Sequence, residues 1–116
     1  FALFYPNRMK NSYKSLSLSD IAALTFEKTD LKTFKCLSLA YEALEAGGTM
    51  PAVLNASNEA CVKLFLDKKI SFLDIGNINE KVMLAHSPEK IDSLETILQA
   101  EEFAKQMVIK LISSGR

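Results

Sequence analysis

Three polar side chains stand close together in an otherwise apolar stretch of the chain, and they are its best candidates for chemistry. Residues 54–59 read LNASNE, which places Asn55, Asn58 and Glu59 within two helical turns. At about 100° per residue, Asn58 falls inside the apolar stripe of that helix, while Asn55 and Glu59 lie on its margin. A carboxamide within an apolar stripe is costly unless it is hydrogen-bonded, so we expect Asn58 to have specific partners.

Two interpretations of this amide–carboxylate cluster are open. The cluster could bind a ligand beside Glu59 as a general base, or it could bond the backbone of a neighbouring loop and fix how the helices dock on another domain. The second is favoured, because the cluster comes without a nucleophile, a further base or a metal ligand. We therefore predict Asn55, Asn58 and Glu59 to be structural docking residues, and we predict no catalytic, cofactor-binding or metal-binding residue.

The remaining candidates for chemistry are weaker. His86 is the only histidine and stands just before Ser87-Pro88, where we expect it to favour the negative end of a helix dipole. Gly47-Gly48 lack the lysine of a phosphate-binding loop and are predicted to end a helix. No group of His, Cys, Asp and Glu residues has the spacing of metal ligands.

The apolar periodicity predicts a mainly α fold, a small antiparallel helical bundle preceded by a short extended linker segment. Its four helices are predicted to be capped by Asp30 or Thr33, by Thr49, by Asp74 and by Ser93. The predicted core positions, in chain order, are Leu37, Ala40, Tyr41 and Leu44; Leu54, Cys61, Leu64 and Phe65; Ile75, Ile78, Val82 and Met83; and Leu94, Leu98, Ala104, Val108, Leu111 and Ile112.

The two ends of the chain raise separate questions. Residues 24–27 could form a short strand, and because a lone strand leaves its ladder groups unpaired, it is expected to belong to a sheet elsewhere. We predict that residues 1–30 are the tail of another domain with a linker, and that residues 31–116 form the bundle. The apolar start, residues 1–6, is untypical of a solvated terminus and indicates a piece of a longer polypeptide. Whether residues 94–113 form one helix or two is open.

Composition bounds the class of partner. The 14 basic and 14 acidic residues balance and the basic ones are scattered, so nucleic acid is not an expected partner. No apolar run approaches the ~20 residues that span a bilayer, and no signal peptide opens the chain, so no membrane partner is expected. Cys36 and Cys61 lie among apolar residues and are expected to be reduced core thiols of a cytoplasmic protein.

Motifs along nearly the whole chain match one known family in order. They include YPNR at residues 5–8, LTFE at 24–27 and LNASNE at 54–59. On these motifs the chain resembles the 1-deoxy-D-xylulose 5-phosphate reductoisomerase family, covering the end of its catalytic domain, its linker and its C-terminal helical domain.

The sequence departs from the family pattern at three positions. Thr29 and Lys35 stand where proline is frequent, and Ser57 stands where alanine is usual. All three are expected on the linker or the helix surface, so the departures put little of the resemblance in doubt.

The resemblance implies a parent enzyme of the non-mevalonate isoprenoid pathway. Such enzymes rearrange 1-deoxy-D-xylulose 5-phosphate and reduce the product with NADPH to 2-C-methyl-D-erythritol 4-phosphate, using Mg or Mn. The family's dinucleotide domain and metal ligands precede the matched region, so this chain alone is expected to hold no cofactor and to be inactive. The implied partners are the upstream catalytic and NADPH-binding domains of a homodimeric parent. The alternative is a free-standing helical interaction module that binds a partner through its apolar start.

Overall fold

The computed structural model describes residues 2–114. Its regular elements within that range are a short 3₁₀-helix (Ala2–Phe4) and the helices α1 (Leu18–Ile21), α2 (Lys35–Ala46), α3 (Met50–Leu66), α4 (Phe72–Leu84) and α5 (Leu94–Ser114). Helices α3 and α4 each contact all the others of the group α2–α5, whereas α2 and α5 do not contact each other. The predicted mainly α bundle is confirmed.

The core of the bundle lies between α3, α4 and α5. Its buried members are small or β-branched for the most part: Val53, Ala56, Cys61, Ile75, Val82, Ala100, Ala104 and Val108. Small side chains at helix contacts allow the helix axes to approach closely. A separate, smaller cluster attaches α2 to the bundle and consists of Leu39, Ala43, Met50 and Met83.

The core face predicted for α2 is wrong. Leu39 and Ala43 are the buried residues of this helix. The predicted positions are all exposed: Leu37, Ala40, Tyr41 and Leu44. Apolar residues cover more than one stripe of α2, so the helical period alone does not tell which stripe faces the bundle. As a result, α2 turns an apolar surface outward.

The other predicted core faces are confirmed in most of their positions. In α4, Ile75, Val82 and Met83 are buried, and in α5, Ala104 and Val108 are buried. Exposed exceptions occur in α5 at Leu94 and Leu98 and in α3 at Phe65. Helix α3 contacts three other helices, so its buried surface extends beyond a single stripe and also takes in Met50, Val53, Ala56 and Ser57.

The caps predicted for α2 and α4 act differently from expectation, and the N-cap position of α2 is Phe34, not Asp30 or Thr33. Asp30 does not cap α2; its Oδ1 accepts hydrogen bonds from the N–H groups of Lys32 and Thr33, both at 3.0 Å, and closes a turn before the helix. Asp74 lies in the first turn of α4, where its Oδ2 accepts from the Ser71 N–H at 2.8 Å and the Ser71 hydroxyl at 2.7 Å. Ser71 is therefore the N-cap residue of α4 and forms a capping box with Asp74.

The cap predicted for the last helix is confirmed. Ser93 Oγ accepts a hydrogen bond from the Thr96 N–H at 3.2 Å. The helix then runs without interruption from Leu94 to Ser114, which answers the question of one helix or two. No helix within the described residues is long and apolar enough to cross a membrane.

The segment before α2 is exposed to solvent along nearly all of its described length. Residues 22–30 have no regular structure, so the strand considered for residues 24–27 is not formed; the described chain offers it no pairing partner. The described residues before α2 expose many large apolar side chains, including Leu3, Phe4, Tyr13, Leu24 and Phe26. Phe1 of the apolar start lies outside the described residues. The division into residues 1–30 and 31–116 stays a prediction.

The turn between α2 and α3 is fastened to the loop between α4 and α5. The Thr49 N–H donates to the Glu89 carbonyl at 3.0 Å, and the Glu89 N–H donates to Thr49 Oγ1 at 3.0 Å. Thr49 Oγ1 also shares a hydrogen bond of 2.7 Å with His86 Nε2. Thr49 occupies the N-cap position of α3 as predicted, but its side chain bonds the distant loop and does not cap the helix.

Replacing Thr49 with valine is expected to lower the free energy of unfolding by about 2–3 kcal/mol, because a buried hydroxyl with two partners is lost and the Glu89 N–H is left unpaired. Urea denaturation would measure the loss. Thr29→Val is the matched control, since Thr29 is exposed and lies outside the bundle. Equal midpoints for both variants would contradict the stabilising role of these bonds.

Candidate functional site

Asn58 of α3 finds its partner on the neighbouring helix α4. Asn79 Nδ2 donates a hydrogen bond to Asn58 Oδ1 at 3.1 Å. Asn79 is fully buried, whereas Asn58 is half-buried. The expectation that Asn58 needs a specific partner agrees with this contact, but Asn79 was not among the predicted site residues. It lies four residues after Ile75 and three before Val82, so the same test, an amide within an apolar stripe, could have found it.

The amide pair leaves two polar groups without partners. Asn79 Oδ1 is buried and accepts no hydrogen bond from any described residue. The second group is Asn58 Nδ2. Within residues 2–114, the Asn58 amide makes only the hydrogen bond that its Oδ1 accepts. A buried carbonyl left unpaired costs about 1–3 kcal/mol. The pair is therefore incomplete within this part of the molecule.

The other two predicted docking residues interact with each other at the surface. Asn55 Nδ2 donates to Glu59 Oε1 at 3.3 Å, one helical turn further along α3, and both side chains are exposed. Asn55 lines the same cleft as Asn58 and Asn79, while Glu59 stands beside it. The structure thus places all three predicted residues on one surface of α3.

A cleft of about 460 Å³ opens beside the amide pair, between α2 and α3, and is called here the α2–α3 cleft. Three asparagines line it, Asn55, Asn58 and Asn79, and its other lining residues are apolar or weakly polar: Cys36, Ala40, Ala43, Leu44, Pro51 and Leu54. None of these residues carries a charge. A second cleft of about 410 Å³ shares Cys36 and Asn58 with the first and extends between α2 and the start of α4.

His86 and Ser57 have structural surroundings. His86 follows the end of α4, as predicted, but its ring bonds Thr49 and packs against Phe103 with the ring centroids 5.2 Å apart. Ser57 is buried, not on the helix surface as expected, and its hydroxyl donates to the Leu54 carbonyl at 3.0 Å.

The two cysteines differ in environment and are both free thiols. Cys36 is exposed at the α2–α3 cleft, so its predicted place in the core is wrong, whereas Cys61 is buried as predicted. Burial, with a smaller electrostatic contribution from Cys36, raises the pKa of the Cys61 thiol from 9.0 to about 11.

This raised pKa predicts a loss of stability in alkaline solution. Because the folded-state pKa of Cys61 exceeds the unfolded value, its contribution is complete below pH 9.0 and is lost as the pH rises toward about 11. The free energy of unfolding should fall by about 2 kcal/mol across that interval. Urea denaturation at several pH values would measure the slope. Cys61→Ala should remove it and Cys36→Ala should keep it; equal slopes in both variants would contradict the assignment.

The described residues hold no group of three or more His, Cys, Asp or Glu side chains that could bind a metal ion. Fold and surface together define the class of the chain as a small all-α bundle domain with an amide-lined cleft. The family model of the DXP reductoisomerase C-terminal domain matches residues 1–107, and the chain belongs to that family.

Individual relatives agree with this assignment. The chain is 50% identical, over 112 residues, to the 1-deoxy-D-xylulose 5-phosphate reductoisomerase of Acetivibrio thermocellus, covering 97% of this chain and 29% of that protein. It is 45% identical over 116 residues to the 1-deoxy-D-xylulose 5-phosphate reductoisomerase 1 of Bacillus cereus, covering 100% of this chain and 30% of that protein.

A solved structure shares the fold. The 1-deoxy-D-xylulose 5-phosphate reductoisomerase from Zymomonas mobilis, in complex with NADPH, superimposes with a TM-score of 0.85 at 39% identity, covering 95% of this chain and 29% of that one. The family resemblance read from the sequence is confirmed. The chain spans about 29% of the length of the Acetivibrio thermocellus enzyme and of the Zymomonas mobilis chain.

Proposed function

We propose that this chain serves as the C-terminal helical domain of a 1-deoxy-D-xylulose 5-phosphate reductoisomerase. Its family membership and its share of the relatives' length support this role. The whole enzyme converts 1-deoxy-D-xylulose 5-phosphate to 2-C-methyl-D-erythritol 4-phosphate with NADPH and Mg or Mn, in the cytoplasm and as a homodimer. The catalytic and NADPH-binding domains belong to the rest of the polypeptide.

The described residues that line the α2–α3 cleft do not fit either cofactor. Phosphate groups are bound by Arg, Lys or clustered N–H donors, and the α2–α3 cleft is lined by neither Arg nor Lys. The described part of the chain also offers no cluster of metal ligands. NADPH and the divalent cation are therefore assigned to the other domains of the enzyme.

The role that remains is to support the catalytic domain, with Asn55, Asn58 and Glu59 at the docking surface. The observation that carries this role is the incomplete Asn58–Asn79 amide pair beside an uncharged cleft. Unpaired amide groups at the edge of an apolar surface are typical of an interface, where a partner surface supplies the missing hydrogen bonds.

An NADPH-oxidation assay tests the proposed function. The whole polypeptide should oxidise NADPH in the presence of 1-deoxy-D-xylulose 5-phosphate and a divalent cation, and the 116-residue chain alone should not. Activity of the chain alone, or inactivity of a folded whole polypeptide, would overturn the proposal. Inactivity of the whole polypeptide would favour the helical interaction module.

Asn58→Leu in the whole polypeptide is expected to lower the melting temperature, with a loss of about 1–3 kcal/mol, because the buried Asn79 amide loses its partner at the docking surface. The Kd for NADPH should be unchanged. Gln106→Leu is the matched control: Gln106 is an exposed amide of α5 that bonds Glu102 of its own helix and does not line the cleft. A loss of activity with unchanged melting would contradict the supporting role.

A further inference from the structure

The Asn58–Asn79 amide pair presents one hydrogen-bond donor atom and one acceptor atom without partners. With Asn79 Nδ2 bonded to Asn58 Oδ1, the donor is Asn58 Nδ2 and the acceptor is Asn79 Oδ1. If both amides were turned over, Asn58 would offer the acceptor and Asn79 the donor, so the complement that the pair requires would be the same. Both residues line the cleft.

One residue of an extended main chain provides that complement. Its own N–H and C=O point to the same side of the strand, whereas the N–H and C=O of a single trans peptide group point in opposite directions. The C=O of a segment lying in the cleft would accept from the half-buried Asn58 amide. Its N–H would approach the Asn79 carbonyl, whose oxygen is closed off from water in this chain.

The walls of the cleft select an apolar segment. Leu44 is 73% exposed, and with Pro51 and Leu54 it forms an apolar surface beside the amide pair. An anionic ligand would meet no cation among the lining residues and would approach Glu59 at the neighbouring edge. Covering Leu44 would remove apolar area from water, which favours association.

The path of the chain indicates where such a segment comes from. Thr33 and Phe34, which lead into α2, line the second cleft that adjoins the first. Polypeptide on the N-terminal side of α2 therefore arrives at the edge of this surface. A tethered segment has an effective concentration near millimolar, whereas a second copy must pay the full cost of association.

We propose that the α2–α3 cleft receives an extended, apolar segment of the catalytic portion of the same polypeptide, one residue of which completes the Asn58–Asn79 amide pair with its N–H and C=O. The inference rests on the proposed function, because it takes its partner from the rest of the enzyme.

Alkylation of Cys36 in the whole polypeptide tests the occupancy of the cleft. Cys36 is exposed in this chain and lines both clefts, so a docked segment should slow its reaction with N-ethylmaleimide. The variant Ala40→Arg, at an exposed position of the cleft, should undock the segment and raise the Cys36 rate about tenfold or more. Ala46→Arg is the matched control, on an exposed residue of the same helix that lines neither of these clefts.

Peptide mass spectrometry would follow each cysteine separately. Buried Cys61 should stay unlabelled in all three proteins, which shows that the bundle remains folded. Equal Cys36 rates in the unmodified protein, Ala40→Arg and Ala46→Arg would overturn the proposal, as would protection that appears only at high protein concentration and so marks a second copy. An NADPH-oxidation assay on the same samples separates the two hypotheses: an inactive protein with Cys36 protected would overturn the proposed function, whereas an active protein with Cys36 unprotected would overturn only this inference.

Discussion

Replacing Gly48 with alanine is expected to destabilise the bundle by about 2–5 kcal/mol, the sum of a conformational and a steric cost. Gly48 has a φ of +52°, a left-handed conformation that residues with a Cβ rarely adopt. A Cβ at this position would also overlap the carbonyl oxygen of Glu89. That oxygen accepts the hydrogen bond of the Thr49 N–H, so relieving the overlap would separate the two loops that Thr49 holds together.

Gly47 provides the control for this prediction. Its φ is +65°, but a Cβ added there would meet open space. Gly47→Ala should therefore cost only the conformational strain, about 1–3 kcal/mol. Urea denaturation of both variants would measure the difference in the free energy of unfolding. A smaller loss for Gly48→Ala than for Gly47→Ala would contradict the close approach of the Gly48 backbone to the Glu89 loop.

The sequence predicted the features that depend on local chemistry. Gly47-Gly48 marked the end of α2 correctly, since the helix ends at Ala46 and both glycines have positive φ. Ser93 was identified as the cap of α5 for a similar reason, because a cap is decided within one helical turn.

Features that depend on distant contacts were missed. The stripe of α2 that faces the bundle is chosen by the fit of Leu39 and Ala43 against Met50 and Met83, and no period of α2 alone contains that information. The hydroxyl of Thr49 bonds a loop 40 residues away in preference to its own helix. A threonine in an N-cap position can leave its own helix uncapped when a buried N–H group of a distant loop needs an acceptor.

The candidate site falls between these two cases. The polar residues of α3 stood out because they interrupt an apolar stripe, and the structure places them on one surface. Asn79, which shares the cleft with them, interrupts the stripe of α4 in the same way, but its pairing with Asn58 becomes evident only when the two helices are packed together. The amide pair is a tertiary feature.

Asn79→Asp should destabilise the bundle at pH 7 by about 3 kcal/mol or more, because it would bury a carboxylate where the structure holds a neutral amide. The donor to Asn58 Oδ1 would also be lost. Burial disfavours the charged form, so the folded-state pKa of the new carboxyl should lie above its unfolded value. Below the unfolded-state pKa of ~3.9 the carboxyl is neutral in both states and this destabilisation is absent. The free energy of unfolding then falls as the pH rises from that value through the folded-state pKa.

Asn79→Leu is the isosteric comparison. It removes the unpaired Oδ1 together with the donor, and the half-buried Asn58 can turn its amide toward solvent, so the loss should stay below about 1.5 kcal/mol and should not depend on pH. Urea denaturation of both variants between pH 4 and pH 8 would separate them. Equal stabilities at pH 7 would mean that residue 79 is not shielded from water. If the Leu variant keeps a stable bundle but raises the alkylation rate of Cys36 in the whole polypeptide, Asn79 serves docking at the expense of the stability of its own domain.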